Sequence, residues 1–159
     1  MRTFFKKILL GVVRNTFLRR LVRYIGITIG MIWAFPLTLF GLLVALPTWF
    51  RHGKLHLIQA PTPALLASGP LADYLLQRHP FGPMCAMAIG HVVIAEKRSL
   101  TPQILTHELA HVRQAAQWGI IFPFAYLAAS AWAALRGQDA YWHNVFEIAA
   151  RKAENRSQA

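Results

Sequence analysis

Residues 106–111 read Thr-His-Glu-Leu-Ala-His, THELAH, and the placement of this run decides how the rest of the chain is read. On a helix, residues four apart share a face. His107 and His111 can then point two imidazoles at one ion, with Glu108 one position on, close enough to polarise a water without being a ligand. The flanks favour a helix. Thr101 is a capping residue, and Pro102 suits the first turn, where its missing N–H would be unpaired anyway. The spacing predicts a helix over about 102–118, ending at Gly119. The competing reading is two solvated or hydrogen-bonded histidines on a helix face.

A catalytic zinc site takes three protein ligands and leaves the fourth position for water or substrate. Downstream of His111 the acidic residues are Asp139, Glu147 and Glu154. Asp139 falls in a Gly-Gln-Asp loop and Glu154 in a polar tail expected to fray. Glu147 sits in a mostly apolar helical stretch, HNVFEIAAR, where an unpaired carboxylate is costly. Glu147 is the expected third ligand, against the alternative of an ion pair with Arg151 at i+4.

Composition places the chain beside a membrane. It is 55% hydrophobic and 14% charged, where soluble domains have roughly a quarter of their residues charged. The net charge of +11 is unevenly spread: Arg2, Lys6, Lys7, Arg14, Arg19, Arg20 and Arg23 precede the first long apolar run, and no acid precedes Asp73. A basic block next to an apolar segment is attracted to anionic lipid. No nucleic-acid motif or aromatic-basic platform accompanies it, so membrane lipid is the expected partner and nucleic acid is not. The single Cys85 has no disulfide or CxxC partner and reads as a small buried hydrophobe.

Residues 1–20 have too short an apolar piece for a signal peptide. Phe5, Ile8, Leu9 and Val12 suit a basic helix lying on the membrane. Residues 24–50 carry no charge. As a helix they span roughly 40 Å, enough for one crossing of a hydrocarbon core about 30 Å thick and not for two. Either they cross once, kinked at Pro36, or they turn back near Pro36 as a re-entrant hairpin. Further on, residues 54–58 (KLHLI) read as a strand, APTPALLASGP as turns, 71–77 as a short helix, and 89–95 (IGHVVIA) as a strand. A last helix is expected over about 144–155. Residues 118–135 are again uncharged, but His111 precedes them and Glu147 follows. If both bind one ion, this run returns to its starting side, as a core or membrane-dipping helix broken near Pro123.

HELAH followed 36 residues later by a helix-borne Glu147 resembles the gluzincins, the thermolysin-like clan of HExxH zinc metallopeptidases. The resemblance implies His107, His111 and Glu147 as zinc ligands, Glu108 as the base that activates water, and residues 89–95 as an edge strand binding extended substrate. More closely, the order WAFPLTLFGLL, GHVVIA, HELAHVRQ, WGIIFPFAYLAAS and NVFEIAAR is similar to small bacterial membrane-anchored proteins over roughly residues 31–152; that likeness implies no substrate. One position departs from the clan. Where thermolysin-like members carry an acid four residues after the ligand Glu, supporting a zinc histidine, this chain has Arg151. Support would pass to Asn144, Asp139 or a backbone carbonyl. For the oxyanion stabiliser the first choice is His143, one turn before Glu147, with Tyr126, Tyr141 and His91 behind it.

The expectation is therefore an α+β, mainly helical protein with a small sheet. A basic segment (1–23) and a transmembrane or re-entrant segment (24–50) would precede a minimal zincin-like domain (51–159). It would be a zinc metallopeptidase acting on peptide or protein near a bacterial inner membrane. A crossing would put the metal domain outside the cytoplasm, and a re-entrant segment would keep it inside. The alternatives are a non-enzymatic membrane protein with a structural or idle zinc site, closed by a fourth ligand such as His143 or His91, and a metal-free membrane scaffold.

Overall fold

The computed structural model describes residues 16–59 and 62–156. It is α+β, mainly helical, with one mixed four-stranded sheet. In chain order the elements are α1 (Thr16–Trp33), α2 (Phe35–Phe50), β1 (Lys54–Ile58), β2 (Ala64–Ser68), α3 (Pro70–Gln77), β3 (Ala86–Ile89), β4 (Val92–Ala95), α4 (Pro102–Trp118), a 3₁₀ turn (Gly119–Ile121), α5 (Phe122–Leu135) and α6 (Val145–Arg156). The surface helix expected over residues 1–20 lies largely outside the described residues.

The strand order is β1-β2-β4-β3, with β2 and β4 parallel and the outer pairs antiparallel. Helices cover both faces. On one side, α2 and α3 bury Ala45, Ala72 and Leu76 against Ala67, Val92 and Ile94. On the other, Val112 of α4 packs against Ala64 and Val93, with Leu109 beside them. The α2 contact is close because its inner stripe is small: Gly41, Ala45 and Thr48 are buried at helical spacing. A Cβ on Gly41 would lie 2.7 Å from the Ile89 carbonyl and from Val92 Cβ. The boundary expected at Arg51 is thus not a packing boundary, since α2 forms one wall of the sheet's core.

Several sequence expectations are corrected. Residues 89–95 are not one strand. Gly90, at φ +60°, turns the chain with His91, so that Ile89 pairs with Val92 across a two-residue hairpin. A glycine at the first central position is the type II′ pattern. The edge strand is β3, and β4 is interior. Residues 64–68, expected among turns, form β2; prolines favour extended backbone before them, and pairing on both sides overrides the helical preference of Ala and Leu. The first apolar run breaks at Ala34, leaving Pro36 in the first turn of α2. The second breaks at Gly119, φ +57°, rather than at Pro123, and the Trp33 indole fills the space where a Cβ would stand, so this position requires glycine. Nor is α5 a core helix: Ala133 is its buried residue, while Phe124, Leu127, Trp132 and Leu135 are exposed. Cys85 is exposed as well, at the foot of β3.

Among the described residues, the stretch Pro102–Leu135 is long and apolar enough to cross a membrane by length and composition, and so is the pair α1–α2, bent by 68° at Ala34.

Gly41→Ala is expected to destabilise the fold by about 1–3 kcal/mol through overpacking. Gly26→Ala, in α1 with nothing within 4 Å of a new Cβ, should be neutral or stabilising by up to about 1 kcal/mol. Thermal unfolding in detergent reads both. Equal effects would mean that α2 is not seated on the sheet.

Candidate metal centre

Thr101 starts α4 by accepting a hydrogen bond from the Ile104 N–H at 3.2 Å. The helix then runs unbroken to Gly119, and its buried side carries Glu108, His111, Gln114 and Ala115. The i, i+4 spacing brings the ring tips together: His107 Nε2 and His111 Nε2 are 3.1 Å apart. Helix α6 supplies Glu147, whose Oε2 lies 3.2 Å from His107 Nε2 and whose Oε1 lies 3.2 Å from His111 Nε2. These three side chains are close enough to hold a metal ion.

The donor set fits a small divalent cation. One ligand atom from each of the three side chains lies within 4.8 Å of the other two, and two imidazoles with one carboxylate are ligand types that zinc takes. The opposite ring nitrogens face acceptors. His111 Nδ1 is 2.8 Å from Gln114 Oε1, and His107 Nδ1 is 3.6 Å from Glu154 Oε2. Gln114 cannot turn round, because its Nε2 donates to the Phe146 carbonyl at 2.9 Å. With a metal bound, His111 would keep its Nδ1 hydrogen on Gln114 Oε1 and turn its Nε2 lone pair inward, as a ligand histidine requires.

Glu147 is 3% exposed, yet it stays ionised. Burial alone would raise its pKa, but hydrogen bonds from His107, His111 and Tyr126 outweigh this and hold it well below the usual carboxylate range. Tyr126, on α5, donates its hydroxyl to Glu147 Oε1 at 2.7 Å. Burial and the nearby Glu147 carboxylate push the Tyr141 phenol up to about 12. Arg151 Nη1 lies 3.9 Å from Glu147 Oε2. The ion-pair reading and the ligand reading of Glu147 thus coexist.

Glu108 is not one of the three. It lies buried beside them, and its carboxyl accepts the Ala88 N–H of β3. Burial raises its pKa, the neighbouring Glu147 adds to this, and the two imidazoles pull the other way. Ala88 can reach it because β3 is the sheet edge. Ile89 opposite Val92 closes the hairpin, so the polar groups of Ala88 point away from β4.

Asn144, fully buried, ties the pieces together. Its Oδ1 caps α6 by accepting the Phe146 N–H, and its Nδ2 donates to the Tyr126 carbonyl and to Ser130 Oγ. It therefore supports the start of α6 and not a histidine. Asp139 is exposed and accepts the N–H groups of Tyr141 and Trp142. His143 is exposed in the same loop, its N–H donating to the Asp139 carbonyl. The side chains that converge on Glu147 are those of His107, His111, Tyr126, Tyr141 and Arg151, not His143. His91 sits in the β3–β4 turn, its Nδ1 3.1 Å from Thr38 Oγ1. The histidine supports are instead Gln114 and Glu154. Gln114 is findable from sequence as the residue three after His111 on the same face, whereas Glu154 was assigned to a frayed tail that is in fact helical.

No protein-family model, no curated protein and no solved structure matches the chain.

The purified wild type should carry about one metal ion per chain, and His107→Ala and Glu147→Ala should each lose it. Gln114→Leu should retain it with affinity weakened about 10–100-fold. Metal analysis after dialysis against graded chelator distinguishes these; full occupancy in Glu147→Ala would rule out the three-ligand site.

Acid should strip the metal early. Burial lowers the pKa of His111, but Glu147, Glu108 and Gln114 raise it more, so its net shift is upward from 6.5. Protons then compete for Nε2 already at pH values above 6.5. In the metal-free protein the sign reverses. The imidazolium–Glu147 contact stabilises the fold fully below about 6.5 and is lost as pH rises through the raised value. Metal retention should increase, and metal-free stability decrease, across the same window, as read by a pH series of metal content and thermal unfolding.

Proposed function

We propose that the protein is a membrane-associated zinc metallopeptidase that hydrolyses peptide bonds. The observation carrying this reading is the His107–His111–Glu147 cluster with a buried, non-ligating Glu108 held beside it by the edge strand. Two imidazoles and one carboxylate, with no fourth His, Cys, Asp or Glu within reach among the described residues, are the donor set of hydrolytic rather than structural zinc sites. Zinc held there would supply Lewis acidity, polarising a carbonyl and acidifying water.

The chain's own groups suit the remaining work. Glu108 takes the proton of the attacking water and passes it to the leaving amine. A carboxyl raised above its ordinary value is a better match to that task near neutral pH. The Ala88 N–H holds Glu108 in place. The open edge of β3, carrying the outward N–H and C=O of Ala86 and the C=O of Ala88, offers an extended peptide main-chain partners. Tyr126 and Tyr141 fix the Glu147 carboxylate.

A second reading is a binding module with an idle metal. It is favoured by the burial of all three ligating side chains, 3–13% exposed. Glu108→Gln separates the two. For the peptidase, cleavage of a fluorogenic peptide library in mixed micelles should fall by about 10²–10⁴-fold with zinc content unchanged. Metal-replete wild type with no cleavage above Glu108→Gln would leave the binding module.

A further inference from the structure

The two uncharged runs, residues 24–50 and 118–135, are each followed by arginine, Arg51 and Arg136, and the first is preceded by Arg23. In the fold they meet. The break between α1 and α2 packs against the 3₁₀ turn, Trp33 lying on Gly119. At this corner Trp33, Phe35, Ile120 and Ile121 are 45–56% exposed. From it, three helices lead away to three exposed arginines: α1 back to Arg23, α2 on to Arg51, and α5 on to Arg136.

Neither run can cross a bilayer while keeping its packing. One side of α2 is the wall of the sheet core, with Gly41 on Val92 and Ile89. A crossing α2 would carry a sheet with two open edges into hydrocarbon, where unpaired backbone groups have no partners. Likewise, a crossing by the whole stretch Pro102–Leu135 would immerse Glu108, Arg113 and both histidines of α4. Yet the outer faces are built for lipid. Phe40, Leu43 and Phe50 of α2, and Phe124, Trp132 and Leu135 of α5, are 63–82% exposed. Depth agrees. The uncharged part of α1, Tyr24–Trp33, rises at most about 15 Å along its axis, half of a hydrocarbon core about 30 Å thick.

We propose that the protein is monotopic. It seats the corner Trp33–Phe35/Gly119–Ile121 in one leaflet of an anionic bilayer, with Arg23, Arg51 and Arg136 all at the headgroups of that same leaflet. The bent α1–α2 pair enters and leaves on one face, and α5 lies along the same surface. The occupant of the apolar faces is lipid rather than a second copy, because each face ends in arginine, which complements anionic headgroups and would repel its own counterpart. This inference is independent of metal loading.

The test uses the full chain, Cys85→Ser, carrying Arg23→Cys and Arg51→Cys together. The protein is reconstituted into sealed vesicles of three parts zwitterionic to one part anionic lipid. A membrane-impermeant maleimide is added and the adducts per chain are counted by mass spectrometry. A monotopic chain takes two labels or none, whichever way it inserted. A chain that crosses takes one, and a majority of singly labelled chains would overturn the proposal. A chain that fails to float with the vesicles and runs as a soluble dimer would overturn it too, giving the apolar faces to a second copy. Arg23→Cys with Arg136→Cys should repeat the two-or-none pattern.

Discussion

The structure turns on one buried charge. The Glu147 carboxylate is withdrawn from water and still ionised, which is tolerable only when donors or a cation surround it. Much of the second half of the chain serves that need. Two histidines arrive from α4, a phenol from α5, another phenol from the loop before α6, and a guanidinium from one turn further along α6. These groups lie on separate elements, so the carboxylate fixes how α4, α5 and α6 are arranged. Asn144 performs the complementary task for the backbone, capping α6 while holding α5 through the Tyr126 carbonyl and Ser130.

The charge also explains why the sheet is where it is. Glu108 is drawn to the same cluster and needs a partner that is not a ligand. The free edge of β3 supplies one in the Ala88 N–H. Had residues 89–95 formed a single strand, no such edge would face α4. The Gly90–His91 hairpin folds β3 back to the outside, and the docking of Thr38 on His91 joins that turn to α2. A surface helix and a buried carboxyl are thus linked through two residues of turn.

What the sequence revealed, and what it hid, follows from the range of the forces involved. The α4 helix, its cap and its end were legible because Thr101, Pro102 and Gly119 act within a turn. The juxtaposition of His107 and His111 was legible because it is helical spacing. Glu147 was legible by elimination, as the one downstream acid in an apolar helix. Strand β2 was not, because ALLAS becomes extended only through partners at residues 54–58 and 92–95. The contact of Tyr126 with Glu147 was hidden for a similar reason. His143 is near Glu147 in sequence, but the chain turns at Asn144 and leaves it facing Asp139, while Tyr126 arrives from another helix. The uncharged run 24–50 was legible as apolar and illegible as to depth, since hydropathy does not tell a helix bathed in lipid from one with a small-residue stripe on a sheet.

Helix α5 presents two different faces. Its outer side is exposed and apolar, with Phe124, Leu127 and Leu135. Its inner side carries the Tyr126 hydroxyl that donates to Glu147 and the carbonyl that Asn144 grips. One helix therefore has lipid-suited residues on one face and the carboxylate's donor on the other. It is tethered at its start by a glycine turn packed on Trp33 and followed at its end by Gly137, φ +71°. The same Tyr126 ring stacks on Phe146 of α6, so α5 and α6 meet through the residue that donates to Glu147. The exposed apolar face and the donor to Glu147 thus belong to one helix, and neither can be repositioned without the other.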